Sequence, residues 1–164
     1  MSKLLDQGDA QEWHRLMEPV AAVINAILCA THHELYRAAE ETIGALHREG
    51  KFDSALKHWP SVFNAMALIS NRQSPLHRDD KTWQTFYDIL LTVGGYKIAD
   101  LAITGLGARL DYRSGTVVAL CAAILEHGAE VQSGERICWA FYMRRDLFQY
   151  AQVKMPHWAE LDRT

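Results

Sequence analysis

The chain has 164 residues, of which 49% are hydrophobic and 23% are charged, with 10 glycines and 4 prolines. This length suits a single domain with its own core, and this composition excludes a disordered or collagen-like protein. Seventeen Lys and Arg against 20 Asp and Glu leave a net charge of −3. A nucleic-acid partner would therefore have to bind a local basic patch, because the protein has no overall positive field.

The cysteines, Cys29, Cys121 and Cys138, are few, odd in number and without a CxxC spacing. This pattern argues against a disulfide framework and a structural zinc site, and it favours a reducing intracellular compartment. The first residues are too polar for a signal peptide. The most apolar stretch, 19–30, is shorter than the ~20 residues that span a bilayer. We expect a soluble intracellular protein with no membrane association.

Up to residue 58 the apolar residues recur at three- and four-residue intervals, which is the helical period. Pro19 suits the first turn of a helix better than its interior, so it predicts a break. Thr31 and Glu34 have the spacing of a capping box, and Gly50 is a plausible helix end. We expect helices over 9–18, 19–30, the segment from Thr31 to Gly50, and 52–58.

From residue 59 onward the pattern is that of β-structure. Seven or eight short strands at 8–12-residue spacing predict a sandwich or barrel, and several strands are apolar on both faces, so we expect the helices to cover one sheet. The predicted organisation is one α+β domain over 1–164, with helical support (1–58), a strand core (59–150) and a tail (151–164). The expected strands are 62–70, a short strand around His77, 85–93, 98–103, 109–112, 116–125 and 136–143.

The residues with metal-binding chemistry begin at His77 and Asp79. Placed on one strand, they would point to the same face because side chains alternate with period two, whereas Asp80 would point to the other. His127 is placed to add a third ligand from another strand. Two histidines and one carboxylate form the facial triad of non-haem Fe(II) oxygenases. We therefore predict His77, Asp79 and His127 as the metal ligands.

Nine residues after His127, Arg136 opens the last apolar strand. A buried guanidinium needs an anion, and its geometry fits a carboxylate bidentately. The distal carboxylate of 2-oxoglutarate is the candidate ligand. Asn71, just upstream of the His77 motif, is either a further cosubstrate-binding residue or a turn residue at a strand end.

The chain from about residue 59 to 143 resembles the double-stranded β-helix of the Fe(II)/2-oxoglutarate dioxygenases. Within that superfamily, the segments 71–79, 114–128 and 134–144 resemble the fungal branch of the TET/JBP-like oxygenases. This resemblance implies a jelly-roll fold, Fe(II), 2-oxoglutarate and O2 as metal, cosubstrate and oxidant, and His77, Asp79, His127 and Arg136 as the functional residues. It implies no catalytic residue beyond the metal site. Cys138 departs from the Ser or Thr that is common two positions after the arginine.

The resemblance also implies methylated DNA, or RNA, as the substrate. Methyl groups of 5-methylcytosine or N6-methyladenine would be oxidised through hydrogen abstraction and hydroxyl rebound, in a nuclear protein. Two alternatives remain open: a 2-oxoglutarate-dependent hydroxylase of a protein side chain or small molecule, and a catalytically inactive β-helix domain that binds a partner. The sequence does not indicate an oligomeric state.

Overall fold

A computed structural model of the chain describes residues 8–52, 56–97 and 99–160, with side chains from residue 12 onward. These residues divide into two compact units. One is drawn from residues before 65 and after 145, and the other spans Ala65–Arg145. None of the described helices is both long and apolar enough to cross a membrane.

The first unit contains helix α1 (Gly8–Thr31), helix α2 (His33–Arg48) and most of a short helix α3 (Arg145–Tyr150). The expected break at Pro19 is wrong, because α1 runs through it. Pro19 lies on the exposed side of the helix, where water can satisfy the carbonyl that proline leaves without an amide donor. The buried stripe continues on both sides of Pro19, through His14, Met17, Ala21, Ile24 and Leu28.

The N-terminus of α2 differs from the expected capping box. Thr31 belongs to the last turn of α1, and its hydroxyl donates to the Ile27 carbonyl at 2.8 Å. The cap is His32 instead, whose Nδ1 accepts a hydrogen bond from the Leu35 amide at 3.3 Å. Gly50, with φ of 68°, follows the helix end as predicted. The short helix expected over 52–58 falls partly outside the described residues.

The second unit consists of two four-stranded antiparallel sheets. One sheet has the strand order β1-β8-β3-β6 and the other the order β2-β7-β4-β5, which is the arrangement of a jelly roll. The predicted α+β class with a double-stranded β-helix is confirmed. The strands are β1 (Ala65–Ser70), β2 (Ser74–His77), β3 (Asp88–Gly94), β4 (Ala99–Ile103), β5 (Ala108–Asp111), β6 (Val117–Leu120), β7 (His127–Val131) and β8 (Arg136–Tyr142).

Strand β7 is the main element that the sequence pattern missed. It pairs with β2 on one side and with β4 on the other. Its middle residues, Gly128, Ala129 and Glu130, have low strand propensity, so pairing within the sheet determines its conformation. At the other end of the predicted strand core, 59–150, the strands end at Tyr142 and α3 follows.

The inner faces of the two sheets form the core of this unit. Leu101, Tyr112 and Ala129 are buried, and Leu90 and Val118 of the other sheet pack against them. The expected packing of the helices on the outer sheet stays a prediction.

Candidate metal centre

His77 and His127 come together through the pairing of β2 with β7. His77 is the last residue of β2, His127 is the first of β7, and the two are register partners. Their ring centroids lie 4.5 Å apart. His127 is buried and His77 is partly exposed, so the pair lies where the inter-sheet space meets solvent.

Backbone carbonyls orient both imidazoles in the same way. Nδ1 of His77 lies 2.7 Å from the Pro75 carbonyl oxygen, and Nδ1 of His127 lies 2.9 Å from the Leu125 carbonyl oxygen. A carbonyl oxygen only accepts, so each Nδ1 carries the proton and donates. The neutral ring then has its lone pair on Nε2, which is the tautomer that a metal ligand requires.

Asp79 completes the cluster from a loop, not from a strand. Its amide donates to the Ala122 carbonyl at 3.0 Å, and its Oδ1 lies 3.6 Å from Nε2 of His77. The expectation that strand alternation aligns His77 with Asp79 is wrong, because β2 ends at His77. One ligand atom each from His77, Asp79 and His127 nevertheless lie within 4.8 Å of one another. Asp80 is exposed and outside this cluster.

Gly128 allows the close approach of the two histidine strands. A Cβ added there would lie 2.9 Å from the Ser74 carbonyl oxygen and 3.0 Å from the Leu76 amide nitrogen, both in β2. Such distances are too short for ordinary contacts, so a side chain at this position would push β2 away from β7. A glycine inside a strand often marks such an approach of another backbone. In the sequence, the only indication of this close approach is that Gly128 directly follows the candidate ligand His127.

Arg136 is 2% exposed at the start of β8. Its Nε donates to the Thr92 hydroxyl at 2.7 Å, and its guanidinium lies 4.8 Å from the centroid of the Tyr112 ring. Among the described residues no Asp or Glu forms an ion pair with it. A buried cation without an acidic partner is costly, so the arrangement suits an anionic ligand.

Asn71 hydrogen-bonds both backbone groups of Arg136, the amide and the carbonyl. Its Oδ1 accepts from the Arg136 amide at 2.7 Å, and its own amide donates to the Arg136 carbonyl at 2.8 Å. Asn71 has φ of 50°, a conformation that asparagine tolerates better than most residues. In the structure it is a turn residue that holds the start of β8, and its predicted contact with a cosubstrate stays a prediction.

His77, His127 and Arg136 line one cavity of about 50 Å³ between the two sheets. It is polar where the histidines and the arginine reach it and otherwise mostly apolar, a combination that is common in small-molecule sites. The lining residues that the sequence reasoning did not single out include Tyr112, for which the only signal was its place at the end of the predicted strand 109–112. The cavity is lined by Ile69, Ser74, His77, Leu90, Leu101, Tyr112, His127, Ala129, Arg136 and Cys138.

Asp88 is a buried acid at the start of β3. It is 2% exposed, its Oδ1 accepts from the Thr82 hydroxyl at 3.4 Å, and no described residue hydrogen-bonds its Oδ2. Burial, with a smaller contribution from the Asp79 charge, raises the pKa of Asp88 well above its usual value. Burial chiefly, and the Asp88 charge, raise the pKa of the Cys121 thiol to about 11. Sequence reasoning missed this acid because it lies inside an apolar strand pattern.

The model of the family Tet_JBP, described as the oxygenase domain of the 2OGFeDO superfamily, matches residues 2–145. The chain belongs to the Tet_JBP family. The predicted membership in the Fe(II)/2-oxoglutarate dioxygenases is confirmed. The fungal branch within the family stays a prediction.

A solved structure described as "NgTET1 in complex with 5mC DNA" is similar to this Tet_JBP chain, with a TM-score of 0.66 and 16% sequence identity. The similarity covers 88% of this chain and 55% of the other. At this identity the likeness establishes the shared fold. No curated protein matches the chain by sequence.

Proposed function

We propose that this chain is an Fe(II)/2-oxoglutarate-dependent dioxygenase that oxidises methyl groups on nucleic-acid bases, with 5-methylcytosine or N6-methyladenine in DNA as the substrate. Membership in the Tet_JBP family supports the reaction class. The observation that carries the residue assignment is the single cavity that His77, His127 and Arg136 line together.

In this proposal His77, Asp79 and His127 hold Fe(II). Two neutral imidazoles and a carboxylate are the donors of the facial triad, which leaves coordination positions open for a cosubstrate and dioxygen. The residues fit this metal because each Nδ1 is tied to a carbonyl and each Nε2 carries a lone pair. Hydrogen-bond partners that orient metal ligands, as these two carbonyls orient the histidines, commonly have a large effect on metal affinity.

Arg136 would anchor the distal carboxylate of 2-oxoglutarate. Its Nε is bound to Thr92, which orients the guanidinium, and its terminal nitrogens would donate to the carboxylate. The apolar side chains of Ile69, Leu90 and Leu101 would exclude water around this ion pair and strengthen it. When bound, Fe(II), 2-oxoglutarate and O2 supply the oxidising chemistry: 2-oxoglutarate becomes succinate and CO2, and one oxygen atom enters a substrate C–H bond.

Two observations support a nucleic-acid substrate. The structurally similar protein was solved with 5mC DNA. In this chain, Arg72, Arg78 and Lys81 are exposed on either side of the His77 motif, and within the described residues none of them is in an ion pair. Such cations can bind phosphates despite the net charge of −3. A base within a duplex would have to be flipped out to reach the metal. The nuclear location stays a prediction.

Mass spectrometry of methylated oligonucleotides tests the proposal. The protein is incubated with Fe(II), ascorbate and 2-oxoglutarate, and with DNA that contains 5-methylcytosine, N6-methyladenine or neither. We expect oxidised bases in methylated DNA only. Asp79→Asn should abolish turnover, whereas Asp80→Asn, which changes a neighbouring acid outside the cluster, should retain it.

The remaining outcomes separate the alternatives. Succinate without base oxidation would direct the search to a protein or small-molecule substrate. A protein that neither binds Fe(II) nor forms succinate would be a binding domain, and the proposed function would be wrong.

A further inference from the structure

We propose that the Tyr112 hydroxyl donates a hydrogen bond to the distal carboxylate of the cosubstrate beside Arg136, and that it thereby helps to select dicarboxylates over monocarboxylates. This inference rests on the proposed function, since it concerns the same cosubstrate site. It adds a positioning residue that neither the sequence pattern nor the metal cluster indicates.

The position of Tyr112 is fixed by its backbone and its ring. Its amide donates to the Ala99 carbonyl at 2.8 Å, and its own carbonyl accepts from the Tyr96 hydroxyl at 2.8 Å. Its ring lies under the guanidinium of Arg136 at 4.8 Å, a favourable cation–π distance. The two side chains are therefore held together at one end of the cavity that both of them line.

The hydroxyl of Tyr112 has a poor acceptor for its proton. The side chain is fully buried, and its oxygen lies 3.6 Å from the Cys138 sulfur. A thiol sulfur is a weak acceptor, and the guanidinium of Arg136 is only a donor. Buried tyrosine hydroxyls usually have a strong partner. A carboxylate bound by Arg136 would supply one.

Tyr96 shows the contrast within the same network. Its hydroxyl lies 3.1 Å from the Thr92 hydroxyl and donates to the Tyr112 carbonyl. It is satisfied by the protein and has a structural role. Burial, followed by the effect of the Cys138 thiol, raises the pKa of Tyr112 far above that of a free phenol, so Tyr112 remains a donor at every physiological pH.

Calorimetric titration of two ligands into anaerobic, Fe(II)-loaded protein tests this role. 2-Oxoglutarate and 2-oxopentanoate have the same chain length, but only the first has a distal carboxylate. We expect Tyr112→Phe to weaken 2-oxoglutarate binding about tenfold, which is the usual effect of losing a hydrogen bond to a charged group. The affinity for 2-oxopentanoate should not change. Tyr150→Phe, which removes an exposed hydroxyl bonded to Glu49, is the matched control and should bind both ligands like the unmodified protein.

Equal losses for both ligands would mean a structural role, and unchanged affinity for 2-oxoglutarate would mean no contact; either result overturns the inference. Ultraviolet difference spectra of the unmodified protein provide a second measurement that does not depend on a variant. A change of the hydroxyl's hydrogen-bond partner from the Cys138 thiol to a carboxylate should perturb a tyrosine band with 2-oxoglutarate but not with 2-oxopentanoate. No such difference would contradict the inference. If the unmodified protein binds no 2-oxoglutarate at all, the proposed function itself fails.

Discussion

His77 and His127 face each other across the β2–β7 pair, with ring centroids 4.5 Å apart. They are 50 positions apart in the sequence, and strand register alone brings them together. The candidate metal centre therefore depends on how closely two backbones approach.

This dependence predicts that Gly128→Ala lowers metal affinity although it changes no ligand. The added methyl group would meet the β2 backbone at about 3 Å and displace His77 from His127. We expect Fe(II) affinity to fall at least tenfold, comparable to the loss of a residue that orients a ligand. Anaerobic metal titration measures this. Gly105→Ala, whose Cβ would meet nothing within 4 Å, is the matched control, and equal affinities for the two variants would contradict the explanation.

Variants of Asn71 distinguish its two possible roles, a contact with the cosubstrate and a turn residue that holds β8. Asn71→Ala removes the hydrogen bond to the Arg136 amide and places a residue with a Cβ at φ of 50°, so we expect a loss of about 1–3 kcal/mol in stability. Asn71→Gly relieves the backbone strain but not the lost bond, so its loss should be smaller. Denaturant unfolding measures both. Weaker 2-oxoglutarate binding with unchanged stability would instead indicate direct contact.

Asp88 predicts a pH dependence of stability. Its folded-state pKa is raised by burial, so the folded state holds the proton more tightly than the unfolded state. The stability associated with this group is present below the unfolded pKa of about 4 and is lost as pH rises through the folded pKa. Asp88→Asn should therefore stabilise the protein at pH 7, and this gain should disappear at acidic pH, where Asp88 is protonated in both states. Denaturant unfolding at acidic and neutral pH checks this, with Asp80→Asn as the exposed control.

His14 predicts the opposite dependence. It is buried between Trp13 and Trp59, at centroid distances of 5.3 and 5.6 Å, and its Nε2 has no hydrogen-bond partner among the described residues. Burial, with the nearby His58, lowers the pKa of His14, so the unfolded state binds the proton more tightly. Stability should fall as pH drops through the unfolded value of about 6.5. His14→Phe should reduce the change in the free energy of unfolding between about pH 8 and pH 5. The exposed His47→Gln should leave that change as it is in the unmodified protein.

The proposed nucleic-acid contact predicts unequal effects of two arginines. Arg78 is exposed without an ion pair among the described residues, whereas Arg109 lies 3.4 Å from Asp100 and 3.8 Å from Glu130. Arg78→Gln should weaken DNA binding. It should also reduce the slope of the logarithm of the binding constant against the logarithm of the salt concentration by about one unit. Arg109→Gln should change neither, because its charge is already neutralised. Fluorescence anisotropy over a range of salt concentrations compares them, and identical behaviour would remove Arg78 from the interface.

The sequence predicted the fold class, the three candidate metal ligands and the buried arginine because these depend on residue type and order. Most strands have alternating or continuous apolar patterns between turn residues, and His77, Asp79, His127 and Arg136 have side chains with distinctive chemistry. β7 was missed because Gly128, Ala129 and Glu130 have low strand propensity and adopt the strand through their two neighbours.

Dependence on neighbours that are distant in the sequence also explains the other errors. The break at Pro19 was wrong because local propensity does not register a buried stripe that continues beyond it. The place of Asp79 in a loop depends on its bond to Ala122, 43 positions away. Tyr112 and Asp88 have chemistry that only burial and neighbours make unusual, and neither is visible before the chain is folded.

The pairing of Ala65 with Tyr142 places the first and last strands of the jelly roll side by side. The chain thus enters and leaves this unit at neighbouring points, as an inserted module does, and a short linker between β1 and β8 would suffice to join its ends. The unit is consequently a natural candidate for circular permutation, with new termini opened in an exposed turn such as the one at Gly115.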